Sequence, residues 1–202
     1  MYKKFLDWSK AGIFAKAHER VIYEKVLMNN NKHTTIDLII DSTGIYNKKG
    51  SELAKYGKNK KKKVILISYV YSSLHDIVYD IRPFDGNATD VNTIAESVEA
   101  IIQNTKYRNI NLTGDKGYIS IDMKTNLKKR NINLIYPSKK NMKVKTSPCG
   151  KKKLAKRYMV ENFIGKHKRY PRICMRYDRH IHTYMSMCYI GLMTYITMPT
   201  YK

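Results

Sequence analysis

The spacing of apolar residues divides the chain into a helical beginning and a later series of strands and helices. Apolar side chains recur at helical spacing from about Lys3 to Leu27, with Gly12 as an expected break. β-Branched and apolar residues then predict a strand from Thr35 to Asp41. Two further strands, Val64 to Tyr71 and Asp76 to Arg82, are spaced as a hairpin.

In the second half of the chain, segments with helical spacing of apolar residues alternate with short apolar segments typical of strands. The predicted elements are a helix from Thr89 or Asp90 to Asn104, a strand from Ile110 to Thr113, a helix from Ser120 to Arg130, a strand from Ile132 to Tyr136, and helices from Lys153 to Arg169 and from about Asp178 to Ile196. The polar stretch from Ser42 to Lys63 is predicted to be a connection, and a turn is expected to begin at Pro83. This order predicts an α/β fold with a mixed sheet flanked by helices.

The chain carries a large excess of positive charge. The chain has 39 Lys and Arg residues against 16 Asp and Glu residues, for a formal net charge of +23, so we expect a polyanionic partner, with DNA or RNA first. The lysine-rich segments either follow a phosphate backbone or are simply solvated; they are Lys58 to Lys63, Lys139 to Lys145 and Lys151 to Arg157. A membrane partner is not expected, because the basic residues do not line one long amphipathic helix.

Cysteine usage and the first residues predict a location. Three cysteines without a Cys-x-x-Cys pair, Cys149, Cys174 and Cys188, favour a reducing compartment over a disulfide framework. The first residues lack the apolar region of a signal peptide. We therefore predict a protein that is not secreted and that lies in the cytoplasm or nucleoid.

Three carboxylates stand out against this basic background. Asp41 closes the first strand, Asp115 follows a strand between two glycines, and Glu161 lies on a helix. Mg²⁺ prefers oxygen ligands, and two such ions held by carboxylates can activate the attacking oxygen and stabilise the leaving oxygen of a phosphodiester. Helical spacing puts Arg157 and Lys168 on the same face as Glu161. The alternatives are a strand-ending aspartate and an ordinary solvated ion pair.

Three other features have two interpretations each. Asp90 either caps its helix or supports a metal site from behind the ligands. Tyr118 either stacks on DNA bases or packs against the sheet. His180 and His182, with Cys174 or Cys188, could form a soft-metal cluster, or they are ordinary residues, since they do not have the spacing of a zinc site.

Several motifs together resemble one family. The chain resembles the catalytic domain of insertion-sequence transposases of the DDE class, in the subset with a Tyr-Arg-Glu-Lys signature (insertion sequence families four and five). The matching pieces, in the family's order, are Phe5-Leu-Asp-Trp8-Ser-Lys-Ala-Gly12, Ile-Asp41-Ser-Thr, Gly86-Asn-Ala-Thr-Asp90, Asp115-Lys-Gly-Tyr118, Arg157-xxx-Glu161-xxxxxx-Lys168 and Arg176-Tyr-Asp178-Arg.

The resemblance implies an RNase H-like fold over residues 34–202, preceded by a helical N-terminal segment over residues 1–33. It implies two Mg²⁺ ions, replaceable by Mn²⁺, with Asp41, Asp115 and Glu161 as ligands and catalytic residues. Contacts to double-stranded DNA, at transposon ends and target, are expected from Arg157, Lys168, Lys116 and Tyr118. Pairing of two transposon ends further implies a homodimer.

Two departures from the family keep other functions open. Leu154 stands where the signature has tyrosine, and members usually carry more chain ahead of the Trp-Ser segment. The chain is therefore expected to be N-terminally truncated. The alternatives are a degraded, non-catalytic DNA-binding remnant and a simple metal-dependent nuclease of the same fold.

Overall fold

The structure is a computed structural model that describes residues 2–28, 34–57, 62–104, 107–138 and 145–197. Most of the predicted lysine-rich segments Lys58 to Lys63 and Lys139 to Lys145 lies outside these residues. So does the predicted domain boundary at residue 33, and that boundary stays a prediction.

A mixed sheet forms the centre of the fold. Its strands among the described residues are β1 Thr35–Asn47, β2 Lys55–Tyr56, β3 Lys63–Ser72, β4 Ile77–Asp85, β5 Asn109–Thr113, β6 Ile132–Ile135 and β7 Met175–Arg176. The helices are α1 Tyr2–Lys10, α2 Ile13–Met28, α3 Asp90–Asn104, α4 Ile121–Lys128, α5 Pro148–Ala155, α6 Tyr158–His167, α7 Pro171–Cys174 and α8 Ile181–Thr197, with a 3-10 turn at Lys116–Tyr118.

The sheet has β1 at its middle. β3 pairs antiparallel with β1 and with β4, while β5 pairs parallel with β1 and with β6. The main order is therefore β4-β3-β1-β5-β6. Short β2 pairs with the beginning of β3, and β7 pairs with the end of β1 at Tyr46 and Asn47. The predicted α/β arrangement with a mixed sheet is confirmed.

Alternation along β1 sends its side chains into two separate cores. Leu38 and Ile40 pack in a cluster that includes residues of α3 and α4. Ile39 and Ile45 pack in a second cluster with Val160 and other residues of α6 and α8. Odd-numbered residues of β1 thus face α6, and even-numbered residues face α3.

The predicted helical beginning is confirmed, with its break where expected. α1 and α2 meet at Gly12, whose φ of +68° is a conformation that other residues rarely adopt. Both helices contact α8. None of the helices among residues 2–28, 34–57, 62–104, 107–138 and 145–197 has the length and apolar character needed to cross a bilayer.

Three predicted boundaries are wrong. β1 does not end at Asp41, because residues as far as Tyr46 keep pairing with β3 after β5 has left. β4 does not stop before Pro83 but runs through it to Asp85, as proline is tolerated where a strand forms a sheet edge. The predicted helix Lys153 to Arg169 is two helices, α5 and α6, separated by a tight turn at residues 156–157.

Candidate active site

Strand register brings the first two predicted carboxylates together. In the parallel pair of β1 and β5, Ile39 lies opposite Thr113. Side chains on one face of a sheet recur every second residue, so the next such positions are Asp41 and Asp115. Asp41 thus faces α6, on the side of Ile39, and Asp115 leaves the sheet beside it. The register ends at Thr113, and the electrostatic effect of Asp115 on Asp41 indicates that the two carboxylates stay close beyond it.

Electrostatics places Glu161 and Arg157 in the same neighbourhood. Burial raises the pKa of the Asp41 carboxyl to about 6, and the carboxylates of Asp115 and Glu161 act in the same direction. The backbone amide of Ser42, which donates to Asp41 Oδ1 at 3.0 Å, and the Arg157 guanidinium lower this pKa. Asp41 is therefore the carboxylate whose ionised form is opposed both by burial and by the other two carboxylates.

Glu161 lies in the first turn of α6 and is held there by an arginine. Arg157 Nη2 donates to Glu161 Oε1 at 2.8 Å, and 54% of the Glu161 side chain is exposed. Buried Val160, Phe163 and Ile164 fix α6 against the sheet. Arg157 Nε is buried with no hydrogen-bond partner within the described residues.

Lys168 ends the same helix and reaches β1. Its Nζ donates to Thr43 Oγ1 at 2.8 Å and lies 3.5 Å from the Gly44 carbonyl oxygen. Burial lowers the pKa of this ammonium. Thr43 lies on the same face of β1 as Asp41, two residues further along. The Lys168 ammonium therefore lies beside the carboxylates on that face. Arg157 and Lys168 consequently flank the acidic cluster, as their spacing predicts.

The loop after β5 holds Asp115. Its Oδ1 accepts from the Gly117 amide at 2.6 Å and caps the 3-10 turn. Lys116 in that turn is exposed. Tyr118 is only 1% exposed and packs in the core with residues of α3 and α4. A ring buried to this extent has no face open to a base, so the predicted DNA contact of Tyr118 is wrong and the packing interpretation applies.

The ligand atoms of these three carboxylates suit a hard divalent cation. Their positions, however, do not allow all three to bind one ion. Asp41, Asp115 and Glu161 offer carboxylate oxygens only, and their mutual repulsion favours a cation. Within the described ranges no three His, Cys, Asp or Glu side chains are grouped closely enough to hold one ion. Glu161 would have to turn from Arg157 to join the other two carboxylates.

Two residues in the quoted motifs have contacts that sequence reasoning did not assign. Ser42 Oγ donates to Asp90 Oδ1 at 2.8 Å, which links β1 to the beginning of α3. Gly117 lies between Asp90 and Asp115: a Cβ built on it would stand 2.2 Å from Asp90 Oδ2 and 2.9 Å from Asp115 Oδ1. The only signal in the sequence was their position beside predicted ligands.

The Arg176 motif is structural. Its guanidinium is buried and donates to the backbone carbonyls of Glu52, Asp178 and Arg179 at 2.7, 3.0 and 3.0 Å. These bonds tie the loop after β1 to the beginning of α8. His180, close by, has Nδ1 3.7 Å from Glu52 Oε1 and stacks on His182 with centroids 5.1 Å apart.

Comparisons with solved structures give the fold. A chain of the simian T-cell lymphotropic virus intasome, in complex with the PP2A regulatory subunit B56γ, is 12% identical over 83% of this chain and 56% of that one, with a TM-score of 0.50. The piggyBac transposase synaptic complex with hairpin DNA matches at 20% identity over 54% of this chain and 24% of that one, with a TM-score of 0.41. The catalytic domain of Mos1 mariner transposase matches at 7% identity over 90% of this chain and 86% of that one, with a TM-score of 0.45.

The chain thus spans about a quarter of the piggyBac chain and just over half of the intasome chain. The comparison with curated proteins gives no match. The predicted RNase H-like fold is confirmed. The model of the transposase DDE domain matches residues 32–196. Because this match covers most of the sequence and includes all three carboxylates, the chain belongs to the family of transposase DDE domains.

Proposed function

We propose that this chain is a metal-dependent DNA transposase catalytic domain, which cleaves transposon ends and joins them to target DNA. The observation that carries the proposal is the half-buried Asp41, with Asp115 and Glu161 within electrostatic reach, in a DDE-family fold. Burying a carboxylate beside two others destabilises a protein, and a divalent cation offsets that cost. The arrangement is therefore better explained by function than by stability.

Asp41, Asp115 and Glu161 would hold two Mg²⁺ ions, which Mn²⁺ replaces. When bound, such ions supply activation of the attacking oxygen and stabilisation of the leaving oxygen. The protein contributes a fixed carboxylate on a central strand, a second on a capped turn and a third on a helix. Glu161 is the exposed carboxylate of the three, so it would be the ligand that turns towards an ion.

The cations beside the carboxylates are proposed to position the DNA. Arg157 holds Glu161 through Nη2, and on DNA binding its guanidinium would turn to a phosphate. Lys168, and Lys116 in the turn after Asp115, would hold neighbouring phosphates. Water attacks the phosphorus first and displaces the 3′-oxygen of the transposon strand. That 3′-hydroxyl then attacks target DNA by in-line displacement.

Double-stranded DNA, at transposon ends and target, is the proposed partner. The net charge of +23 supports it, because neutralising phosphates releases condensed counterions. Pairing of two ends would require a homodimer. The protein would work wherever the host DNA lies.

Nicking of supercoiled plasmid with Mg²⁺ or Mn²⁺ tests the proposal. Asp115→Asn is expected to reduce nicking at least about a hundredfold, since it removes a metal ligand. Asp122→Asn is the matched control, because Asp122 is an exposed acid in the first turn of α4. Full metal-dependent nicking by Asp115→Asn would overturn the assignment.

The same preparation separates the two alternative functions. Incubation with pre-cut ends and a target plasmid gives joined products only if the protein transfers strands. Nicking without joined products would identify a simple nuclease. Salt-sensitive DNA binding without nicking, indifferent to metal and to Asp115→Asn, would identify the non-catalytic remnant.

A further inference from the structure

We infer that Asp90 is a positioning residue, which fixes the carboxylates of Asp41 and Asp115 relative to each other through Ser42 and Gly117. The structural part of this inference stands on contacts alone. Its consequence for metal binding rests on the proposed function. Asp90 acts here through Ser42 and Gly117, so the role inferred for it is distinct from that of the three proposed ligands.

The first link runs from Asp90 to Asp41. Ser42 Oγ donates to Asp90 Oδ1 at 2.8 Å, while the Ser42 amide donates to Asp41 Oδ1 at 3.0 Å. Successive residues of a strand face opposite sides, so Ser42 faces α3 while Asp41 faces α6. One residue thus connects the carboxylate of the site to a helix on the other face of the sheet.

The second link runs from Asp90 to Asp115. Asp90 Oδ2 lies so close to Gly117 that a Cβ there would stand 2.2 Å from it. The amide of Gly117 in turn donates to Asp115 Oδ1 at 2.6 Å. Asp90 therefore sets how near Gly117 can come, and Gly117 sets the orientation of the Asp115 carboxylate. A glycine is required here by close approach and not by backbone conformation.

The surroundings make these links rigid. The buried ring of Tyr118 packs against Gly114, where a Cβ would meet Tyr118 Cδ2 at 2.7 Å. Asp90 is the first residue of α3, and Thr93 Oγ1 donates to its carbonyl oxygen at 2.8 Å. The Asp115 turn is thereby pressed between a fixed helix end and the sheet, so a change at Asp90 is transmitted to Asp115.

An acid at a helix N-terminus also stabilises the helix, and this alternative predicts a different result. The test uses Asp90→Ala, Asp90→Asn and Ser42→Ala. Asp122→Ala is the matched control, since it removes an exposed acid from the first turn of α4. The metal-free readout is the Gly117 amide resonance in a ¹H–¹⁵N spectrum. The second readout is Mn²⁺ affinity, measured by water proton relaxation.

We expect Asp90→Ala to move the Gly117 resonance and to weaken Mn²⁺ binding about tenfold or more, as loss of a residue supporting metal ligands does. Asp90→Asn should retain more affinity, because its side-chain oxygen still accepts from Ser42. Ser42→Ala and Asp90→Ala should be non-additive when combined, because they break one contact. Asp122→Ala should change neither readout.

An unmoved Gly117 resonance in Asp90→Ala would overturn the inference, whatever happens to metal binding. Equal losses of stability in Asp90→Ala and Asp122→Ala, with unchanged Mn²⁺ affinity, would overturn it in favour of a helix-end role. A moved resonance in a protein whose wild type binds no Mn²⁺ would support the positioning role and refute the proposed function. If Asp90→Ala fails to fold, Ser42→Ala and Asp90→Asn give the same comparisons.

Discussion

Arg157 Nη2 lies 2.8 Å from Glu161 Oε1, so one carboxylate of the candidate site is bonded to a cation beside it. The pair follows from its spacing, because residues i and i+4 are neighbours on a helix. An exposed pair of this kind contributes only about 0.3–0.5 kcal/mol to stability. In the proposed function the pair matters because a bound metal ion and Arg157 would compete for the Glu161 carboxylate.

Replacement of Arg157 is expected to move metal binding and DNA cleavage in opposite directions. In Arg157→Gln, Mn²⁺ affinity without DNA should rise about twofold to fivefold at low salt, since a competing nearby cation is gone. Plasmid nicking should fall, because the phosphate contact is lost. Mn²⁺ titration and nicking assays on one preparation measure both effects. Arg157→Lys, which keeps the charge, is the control, and weaker Mn²⁺ binding by Arg157→Gln would contradict the competition.

Asp41→Asn is expected to stabilise the metal-free protein while removing its response to metal. Asparagine has nearly the same shape without the charge that burial opposes, so the free energy of unfolding at pH 7.5 should rise by about 1–2 kcal/mol. Urea denaturation in EDTA measures this gain. Mg²⁺ should then raise the stability of the wild type only. A destabilised Asp41→Asn protein would show that the charge of Asp41 holds the fold together.

A methyl group at Gly117 should damage the site without damaging the fold. The added Cβ would stand 2.2 Å from Asp90 Oδ2, so Gly117→Ala should weaken Mn²⁺ binding about tenfold or more. The methyl should cost less when Asp90 is already alanine, because only the contact of 2.9 Å with Asp115 Oδ1 then remains. Gly165→Ala in α6 is the control: nothing lies within 4 Å of its built Cβ, and it should stabilise the helix by up to about 1 kcal/mol. Mn²⁺ titration of the three variants and the double variant provides the comparison.

Acid should destabilise the protein through His167. Burial lowers the pKa of this imidazole to about 4. Its Nε2 lies 3.1 Å from the Cys188 carbonyl oxygen, which only accepts, so Nε2 donates and Nδ1 accepts from the Tyr69 hydroxyl at 3.0 Å. The unfolded chain takes up a proton near pH 6.5 and the folded one does not. Stability present above pH 6.5 is therefore lost as the pH falls towards 4, by about 2 kcal/mol at pH 5.

His167→Gln should lose this acid sensitivity, since an amide can make both bonds without titrating. Urea denaturation at pH 7 and pH 5 measures it. His18 has a pKa lowered to about 4 by burial and acts in the same direction, whereas burial raises the pKa of Asp80 to about 6 and acts in the opposite one. Only the difference between the two proteins isolates His167. The same substitution at exposed His180 is the control, and equal pH dependence of wild type and His167→Gln would contradict the prediction.

The sequence alone predicted the proximity of Asp41 and Asp115, because both follow short apolar runs that pair side by side in an α/β sheet. It did not predict that β1 continues past Asp41. The following residues include Gly44, which is a poor strand former, and β3 supports this stretch through pairing between distant segments. The residues of β1 themselves predict a strand, whereas the length of that strand depends on its pairing with β3.

The break between α5 and α6 gave no sequence signal, since neither glycine nor proline lies at residues 152–158. The turn is made by backbone bonds from Lys156 to Lys153 and from Arg157 to Leu154. The burial of Tyr118 was likewise undetermined, because an aromatic residue after a glycine suits a surface or a core equally. Only the position of α3 decides between them.

The pairing of β1 has one further consequence. On one side it is bordered by β3 from Leu38 to Tyr46; on the other, β5 leaves after Ile39 and β7 joins at Tyr46. Between these points none of the described strands pairs with β1 on that side, while β3 holds the other side. Asp41 lies in this half-paired stretch. The candidate site therefore lies where strand pairing is interrupted, on a strand that stays fixed from its other side.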